Sequence, residues 1–210
     1  PILWNLESPN LYTAKVMVYH NKQQIDEYVI NFGIRSISYS VEKGFFLNGK
    51  EVLLKGACIH HDNGLLGAAA FKRAEYRKVE IMKKNGYNAI RTSHNPPSKL
   101  FLDACDELGM LVIDEAFDMW EQKKRKNDYH LYFNDYWEKD IESMMLRDRN
   151  HPSIIMWSYG NEISERAKSR GIEIAKMLVN KIKKLDDSRP TTQAICHFWD
   201  NPDQNWEEHS

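Results

Sequence analysis

The chain has 210 residues, 29 Lys and Arg against 30 Asp and Glu, a formal net charge of −1 and 42% hydrophobic residues. That length holds one large domain or one and a fraction, and the composition allows a sizeable core. The near-zero charge argues against nucleic acid or a membrane surface as a partner, and Cys58, Cys105 and Cys196, widely spaced and without a CxxC, form neither a disulfide framework nor a zinc site.

Cys58 and Cys105 are expected to be inert core thiols, given their apolar neighbours. The basic run Lys123 to Lys126 is followed by Asn127-Asp128 and reads as a solvated loop. No signal peptide or membrane-spanning run is apparent. The sequence opens at Pro1-Ile2-Leu3-Trp4 without a Met, which reads as a piece of something longer.

The first forty residues have a β pattern. Thr13 to Tyr19 alternates, His20 to Gln24 turns the chain, and Glu27 to Ile37 reads as a return strand. Two strands alone are marginal, so they are expected to complete a sheet begun before Pro1. Asn48-Gly49 between apolar runs predicts a hairpin over 45–54.

From Val52 onward strands and helices alternate. Strands are expected over 52–60, 89–94, 110–114, 153–157 and 191–196. The helices fall over 73–85, from the cap Ser98 to Leu108, and over 134–149 and 171–185. One-sided helices and near-continuous apolar strands mean a parallel sheet, either open and doubly wound or closed as a (β/α)8 barrel. An open nucleotide-binding sheet needs a glycine-rich loop after its first strand, and His60-His61-Asp62-Asn63-Gly64 cradles no phosphate. Polar residues instead mark each strand's C-terminal end: His60, Arg91 with His94, Asp114 with Glu115, Asn161 with Glu162, and His197. That is the barrel pattern, with about five of the eight strands present.

Trp157-Ser158-Tyr159-Gly160-Asn161-Glu162 is the most informative stretch. A buried strand is expected to break at its glycine and to present Asn and Glu together. Glycosidic bond cleavage needs one carboxyl to protonate the leaving oxygen and another to attack the anomeric carbon or activate water. Glu162 suits the acid, with burial beside Trp157 and Tyr159 expected to raise its pKa. Spacing alone equally allows Glu162 to be a carboxylate at a helix N-terminus. Asn161 suits a sugar hydroxyl. His60 and His94, taken singly, read as hydrogen-bonded histidines. Arg91 needs a polar or anionic partner, and Asp114-Glu115 is expected to supply it inside the barrel. Trp120, Trp199 and Trp206 could stack on sugar faces, although each alone suits ordinary packing. Adjacent histidines point different ways along a strand, so His60-His61-Asp62 is not expected to bind metal.

Together the stretches resemble glycoside hydrolase family 2, the β-galactosidase, β-glucuronidase and β-mannosidase family. They are Phe32-Gly33-Ile34-Arg35, Phe46 to Lys50 through Lys55-Gly56, His60-His61-Asp62, Asn88 to His94, Asp114-Glu115-Ala116, Arg147 to Ser153 and Trp157 to Glu162. The resemblance covers nearly the whole chain. It implies that residues 1–40 are the last strands of an immunoglobulin-like β-sandwich and 41–210 the first part of the catalytic barrel.

It also implies roles. Glu162 looks like the general acid/base, Asn161 like the residue binding the 2-hydroxyl, His60 and His94 like sugar contacts, and Arg91 like a supporter of the catalytic carboxylates. The reaction implied is hydrolysis of a terminal β-linked sugar with retention. The family's nucleophile would lie beyond Ser210, so the isolated 210 residues are expected to be inactive.

After Asp114-Glu115-Ala116 the chain reads Phe117-Asp118-Met119-Trp120, without the His that helps hold magnesium in long β-galactosidases. No metal or cofactor is therefore expected, and Asp118 becomes a candidate sugar contact. This stretch looks more like bacterial β-galactosidases of the shorter type, which ranks galactosidase before glucuronidase or mannosidase. The expected partner is a carbohydrate substrate. The sequence leaves open a homo-oligomer of the full-length protein and a cytoplasmic, periplasmic or secreted location. The reading from another class is a non-catalytic carbohydrate-binding piece.

Overall fold

The computed structural model describes residues 1–166 and 168–195. Cys196, His197, Trp199 and Trp206 lie outside the described residues.

An antiparallel ribbon opens the fold, β1 (Tyr12–His20) against β2 (Gln23–Phe32). Its turn residues Asn21 and Lys22 have φ of 47° and 63°, the left-handed pair that matches the strand twist. The return strand ends at Phe32 instead of reaching Ile37, because the chain leaves the ribbon to dock elsewhere. A Cβ on Gly33 would lie 2.7 Å from Pro152 Cγ. Arg35 Nε and Nη2 donate to the carbonyls of Pro152 (2.8 Å) and Ile154 (2.6 Å). Burial, reinforced by nearby Arg189, lowers the Arg35 pKa to about 10.

A small meander follows: β3 (Ile37–Ser40), β4 (Gly44–Leu47) and β5 (Lys50–Glu51). The Asn48-Gly49 turn is present, with φ of 52° and 75°. Val52 still donates its N–H to Phe45 O at 3.0 Å, so the next strand starts four residues later than its apolar pattern suggests.

That strand is β6 (Gly56–His60), the first of a five-stranded sheet with β7 (Ala89–Ser93), β8 (Leu111–Glu115), β9 (Ile154–Asn161) and β10 (Thr191–Ala194). All neighbours are parallel and follow chain order. The connecting helices are α1 (Lys72–Lys84), α2 (Lys99–Leu108), α3 (Phe133–Asp148) and α4 (Ser169–Leu185). Ser98 caps α2, its Oγ accepting from Phe101 N at 3.1 Å. Ile90, Val112, Ile154 and Trp157 on the sheet bury against Leu102, Ile141, Ile174 and Leu178 on the helices. This is an α/β fold, part of a (β/α)8 barrel.

The opposite sheet face would line the barrel interior. At its N-terminal end Ala89, Leu111 and Ile155 are covered by Trp4 and Leu47. Trp4 Nε1 also donates to Asp106 O at 2.8 Å. Cys58 lies on the edge strand β6 and is exposed rather than a core thiol; Cys105 is buried as expected.

The strand carrying the Asn-Glu pair does not break at its glycine. β9 runs through Gly160 to Asn161, and Glu162, at φ 44°, ends it. Gly160 serves close packing instead: a Cβ there would lie 2.8 Å from Ile163 Cγ1 and 3.1 Å from Trp120 Cζ2.

Gly109 joins the N-terminal segment to the helical layer. Its φ is 70°, and a Cβ would lie 2.5 Å from the Leu6 carbonyl oxygen. Lys83 Nζ donates to both Leu6 O (2.6 Å) and Gly109 O (2.7 Å). Gly109→Ala is therefore expected to cost about 1–3 kcal/mol through backbone overpacking and left-handed strain. Urea denaturation of the full-length protein reads this as a lowered midpoint; an unchanged midpoint refutes it.

Candidate active site

Glu115, at the C-terminal end of β8, has no solvent exposure. Its carboxylate accepts from Arg91 Nε (2.8 Å), Arg91 Nη2 (2.8 Å), His94 Nδ1 (2.8 Å) and Ser158 Oγ (2.6 Å). Four donors fill the lone-pair positions of one carboxylate. The contact with a carboxylate places the His94 proton on Nδ1. Glu115 N donates to Thr92 Oγ1 at 3.0 Å, fixing the backbone as well. Only Glu115 of the Asp114-Glu115 pair meets Arg91. Asp114 faces the helical layer, where burial and then neighbouring Asp148 push its carboxyl well above the usual range.

Arg91 extends the cluster. Its Nη2 donates to Asn161 Oδ1 at 2.6 Å, and its Nη1 lies 3.6 Å from Cys58 Sγ. Asn161 Nδ2 donates to Asp118 Oδ1 at 2.7 Å, so both ends of the amide are held and its orientation is fixed. Lys124 Nζ donates to Asp118 Oδ1 (2.6 Å) and to the Asn161 carbonyl (2.8 Å). Burial opposes ionisation of Asp118, but the bonds from Lys124 and Asn161 outweigh it and hold the carboxyl below the usual range. His60 meets His94 edge to face, with ring centroids 5.1 Å apart.

A β-bulge makes this convergence possible. β10 residues Thr192 and Ala194 pair with Ser158 and Asn161, so three steps on β9 oppose two on β10. Strict alternation would put Ser158 and Asn161 on opposite faces. The extra residue reverses the alternation, and both side chains reach the Arg91 cluster. Trp157 and Tyr159 turn to the helical layer and are buried there.

Glu162 follows immediately. Its N–H donates to Ala194 O at 2.8 Å, which holds the left-handed backbone. Its side chain is exposed, and the two aromatics expected to enclose it face the other way. Trp120 is fully buried, with Nε1 donating to Tyr159 O at 3.0 Å, so it cannot stack on a sugar.

His94, Arg91, Asn161 and Asp118 thus form one connected network, with His60 against it and Glu162 next to it in the chain. Sequence missed two members. Ser158 lay inside the recognised stretch but had no distinguishing signal. Lys124 lay in the run read as solvated, and nothing in its spacing separates it from Lys123 or Lys126. Among the described residues no group of three or more His, Cys, Asp or Glu side chains is disposed to hold a metal ion. No helix among them is long and apolar enough to cross a membrane.

Comparison with known proteins adds to this geometry. Residues 40–200 match the family model described as glycosyl hydrolases family 2, TIM barrel domain, and residues 1–35 match that of glycosyl hydrolases family 2. The chain is 46% identical over 185 residues to β-galactosidase BoGH2A of Bacteroides ovatus, covering 86% of itself and 22% of that protein. It is 42% identical over 194 residues to a putative β-glucuronidase of Formosa agariphila, covering 92% of itself and 18% of that protein. Among solved structures, a glycosyl hydrolase family 2 member from Bacteroides cellulosilyticus superposes with a TM-score of 0.89 at 53% identity, covering 93% of this chain and 25% of that one. The chain therefore spans about a fifth to a quarter of the length of these relatives.

Two outcomes follow from the network. Arg91→Met leaves Glu115 buried without its cation and should cost about 3–5 kcal/mol in denaturant unfolding; a loss within error of zero contradicts the pairing. For Asp118, a folded-state pKa below the unfolded one stabilises fully above the ordinary carboxylate range. That stabilisation is lost as pH falls through the lowered value. Lys124→Met should raise the Asp118 pKa towards its unfolded value, so the stability Asp118 contributes at neutral pH shrinks and less is lost on acidification. Melting curves taken from neutral into acid pH test this, and superimposable profiles refute it.

Proposed function

The chain belongs to glycosyl hydrolase family 2, and we propose that the longer protein it matches hydrolyses a terminal β-linked sugar with retention, a β-galactoside in the first instance. The observation that carries this is the saturated Arg91–Glu115 pair. It fixes His94 and Asn161, and through Asn161 Asp118, at the strand ends where barrel enzymes work.

In this reading Glu162 is the general acid/base. It protonates the glycosidic oxygen as the bond to the anomeric carbon breaks, then takes a proton from the water that releases the sugar. Its positive φ is an outlier of the kind that accumulates at functional sites. The nucleophile is a second carboxylate beyond Ser210. An acid needs a raised pKa, and the remaining barrel strands would supply the burial that Glu162 lacks here. Asn161 keeps a spare amide hydrogen and lone pair for the 2-hydroxyl. His60, His94 and Asp118 contact other parts of the ring, and Arg91 holds the cluster. The chemistry needs carboxyl groups and water, and no cofactor.

Asp118 Oδ1 is paired with Lys124 Nζ at 2.6 Å, and its other oxygen can accept a hydrogen bond from a neutral ring hydroxyl. The glucuronidase reading stays second, supported by the name of the Formosa relative. We further assign residues 1–40 to the last strands of an immunoglobulin-like sandwich and 41–210 to the start of the barrel domain. The exposed apolar side chains Val16, Val18, Ile25 and Val29 on the ribbon support that, since such a ribbon needs more sheet to cover it.

The test is a panel of aryl β-glycosides with the full-length protein and its Glu162→Gln form. One sugar should be cleaved, and the substitution should lower kcat/KM about 10²–10⁴-fold for poor leaving groups and least for the best. Equal loss across leaving groups removes the acid role. No cleavage of any sugar by folded parent protein moves the reading to a carbohydrate-binding module.

A further inference from the structure

Glu162 sits at the start of the segment after β9, while Asp118 and Lys124 sit in the segment after β8. The distance between acid and sugar contacts is therefore set by whatever joins the two segments. We propose that Glu165 is the positioning residue for Glu162: its buried carboxyl clasps the backbone of the segment after β8 and so fixes where the acid stands. This rests on the glycosidase reading, whose acid the clasp serves.

Glu165 is only 1% exposed, although it lies in a connecting segment three residues after an exposed glutamate. A carboxyl is buried in such a place only where hydrogen bonds offset its lost hydration. Glu165 Oε1 accepts from Gln122 N at 2.5 Å, and the backbone amides of Glu121 and of Glu165 itself favour its charged form. Burial outweighs these bonds and raises the carboxyl's pKa. Oε2 is buried without a partner among the described residues, a position more easily tolerated by a neutral group than by a charge.

Other contacts draw the same two segments together. Lys168 Nζ donates to Gln122 Oε1 at 3.0 Å, and Arg170 Nε and Nη2 donate to the Glu121 carboxylate at 3.0 and 2.5 Å. These are exposed pairs between long side chains, each worth little. The Glu165 contact differs in two ways. It is shielded from water, which strengthens it, and its partner is a backbone amide, which cannot swing away from its own segment.

The Glu165 end is itself anchored. Ile163 is buried in the same cluster as Trp120. Lys168 N donates to the Glu165 carbonyl at 2.8 Å, and a Cβ on Gly171, in the first turn of α4, would lie 2.2 Å from that oxygen. The stretch after Glu162 is thus held by Trp120, Gln122 and α4 together. Glu162 needs such a frame, because its own side chain is exposed and gains no fixed position from burial. A general acid must come within hydrogen-bond reach of the leaving oxygen, and a misplacement of about 1 Å costs on the order of 10²-fold in rate.

Kinetics separate placing the acid from merely supporting the fold. Glu165→Leu removes the acceptor, whereas Glu165→Gln keeps a carbonyl for the Gln122 N–H and is neutral. In the full-length protein, Glu165→Leu should lower kcat/KM by about 10²-fold for aryl β-glycosides with poor leaving groups and least for the best, which need little protonation. Glu165→Gln should recover most of that loss. Uniform loss across leaving groups, no loss at all, or equal loss in both variants overturns the positioning role. Hydrogen exchange reads the clasp without turnover: Glu165→Leu should expose the amides of 120–124 and 162–166 together, and Glu165→Gln should keep them protected. Unchanged protection in Glu165→Leu overturns the clasp. If the folded parent cleaves no sugar, the glycosidase reading falls and with it the acid that Glu165 serves, while exchange still decides whether the two segments are joined through Glu165.

Discussion

The bidentate pair between Arg91 and Glu115 is the contact on which the rest of the site depends. Burying a carboxylate completely is costly, and the cost is met only when every lone pair finds a donor. Glu115 achieves this with donors drawn from β7, the residue after it, and β9. Three successive chain segments are thereby fixed at one point. Nothing is left on Glu115 to act on a substrate, so its part is to orient its neighbours. His94 and Asn161 carry that order outward, and Asp118 and Lys124 receive it from Asn161.

The two ends of the sheet do different work. At the N-terminal end Trp4, Leu47 and the Arg35 guanidinium close the barrel floor with apolar cover and carbonyl hydrogen bonds. Those contacts are dense and leave little that could move. At the C-terminal end the strands finish in polar side chains, a bulge and a left-handed residue. Each is locally unfavourable, and each is tolerated because the floor and the helical layer are stable. Activity in such folds concentrates where the backbone departs from regularity.

The bulge in β9 links these levels. Gly160 permits it, since any side chain there would collide with Ile163 and Trp120. The bulge turns Asn161 toward Arg91 and brings Glu162 out at the rim. The recognised Trp-Ser-Tyr-Gly-Asn-Glu stretch is thus a strand with its side-chain alternation reversed partway, which explains why Ser158 and Asn161 share a face although an even number of residues, Tyr159 and Gly160, separates them.

The sequence by itself determined the alternation of strands and helices, the parallel sheet, the Asn48-Gly49 hairpin, the Ser98 cap and the polar residues at strand ends. These follow from local periodicity and turn chemistry, which act over a few residues. Only the tertiary structure decided which strand-end residues meet. It chose Glu115 over Asp114 as the partner of Arg91, turned Lys124 inward from a basic run, and buried Trp120 instead of offering it to a sugar. It also left Cys58 exposed on the edge strand β6 and turned Trp157 and Tyr159 away from Glu162. The physical reason is register. One inserted residue in β9 exchanges the faces of everything after it, and no periodicity within a single segment records how its neighbour is aligned.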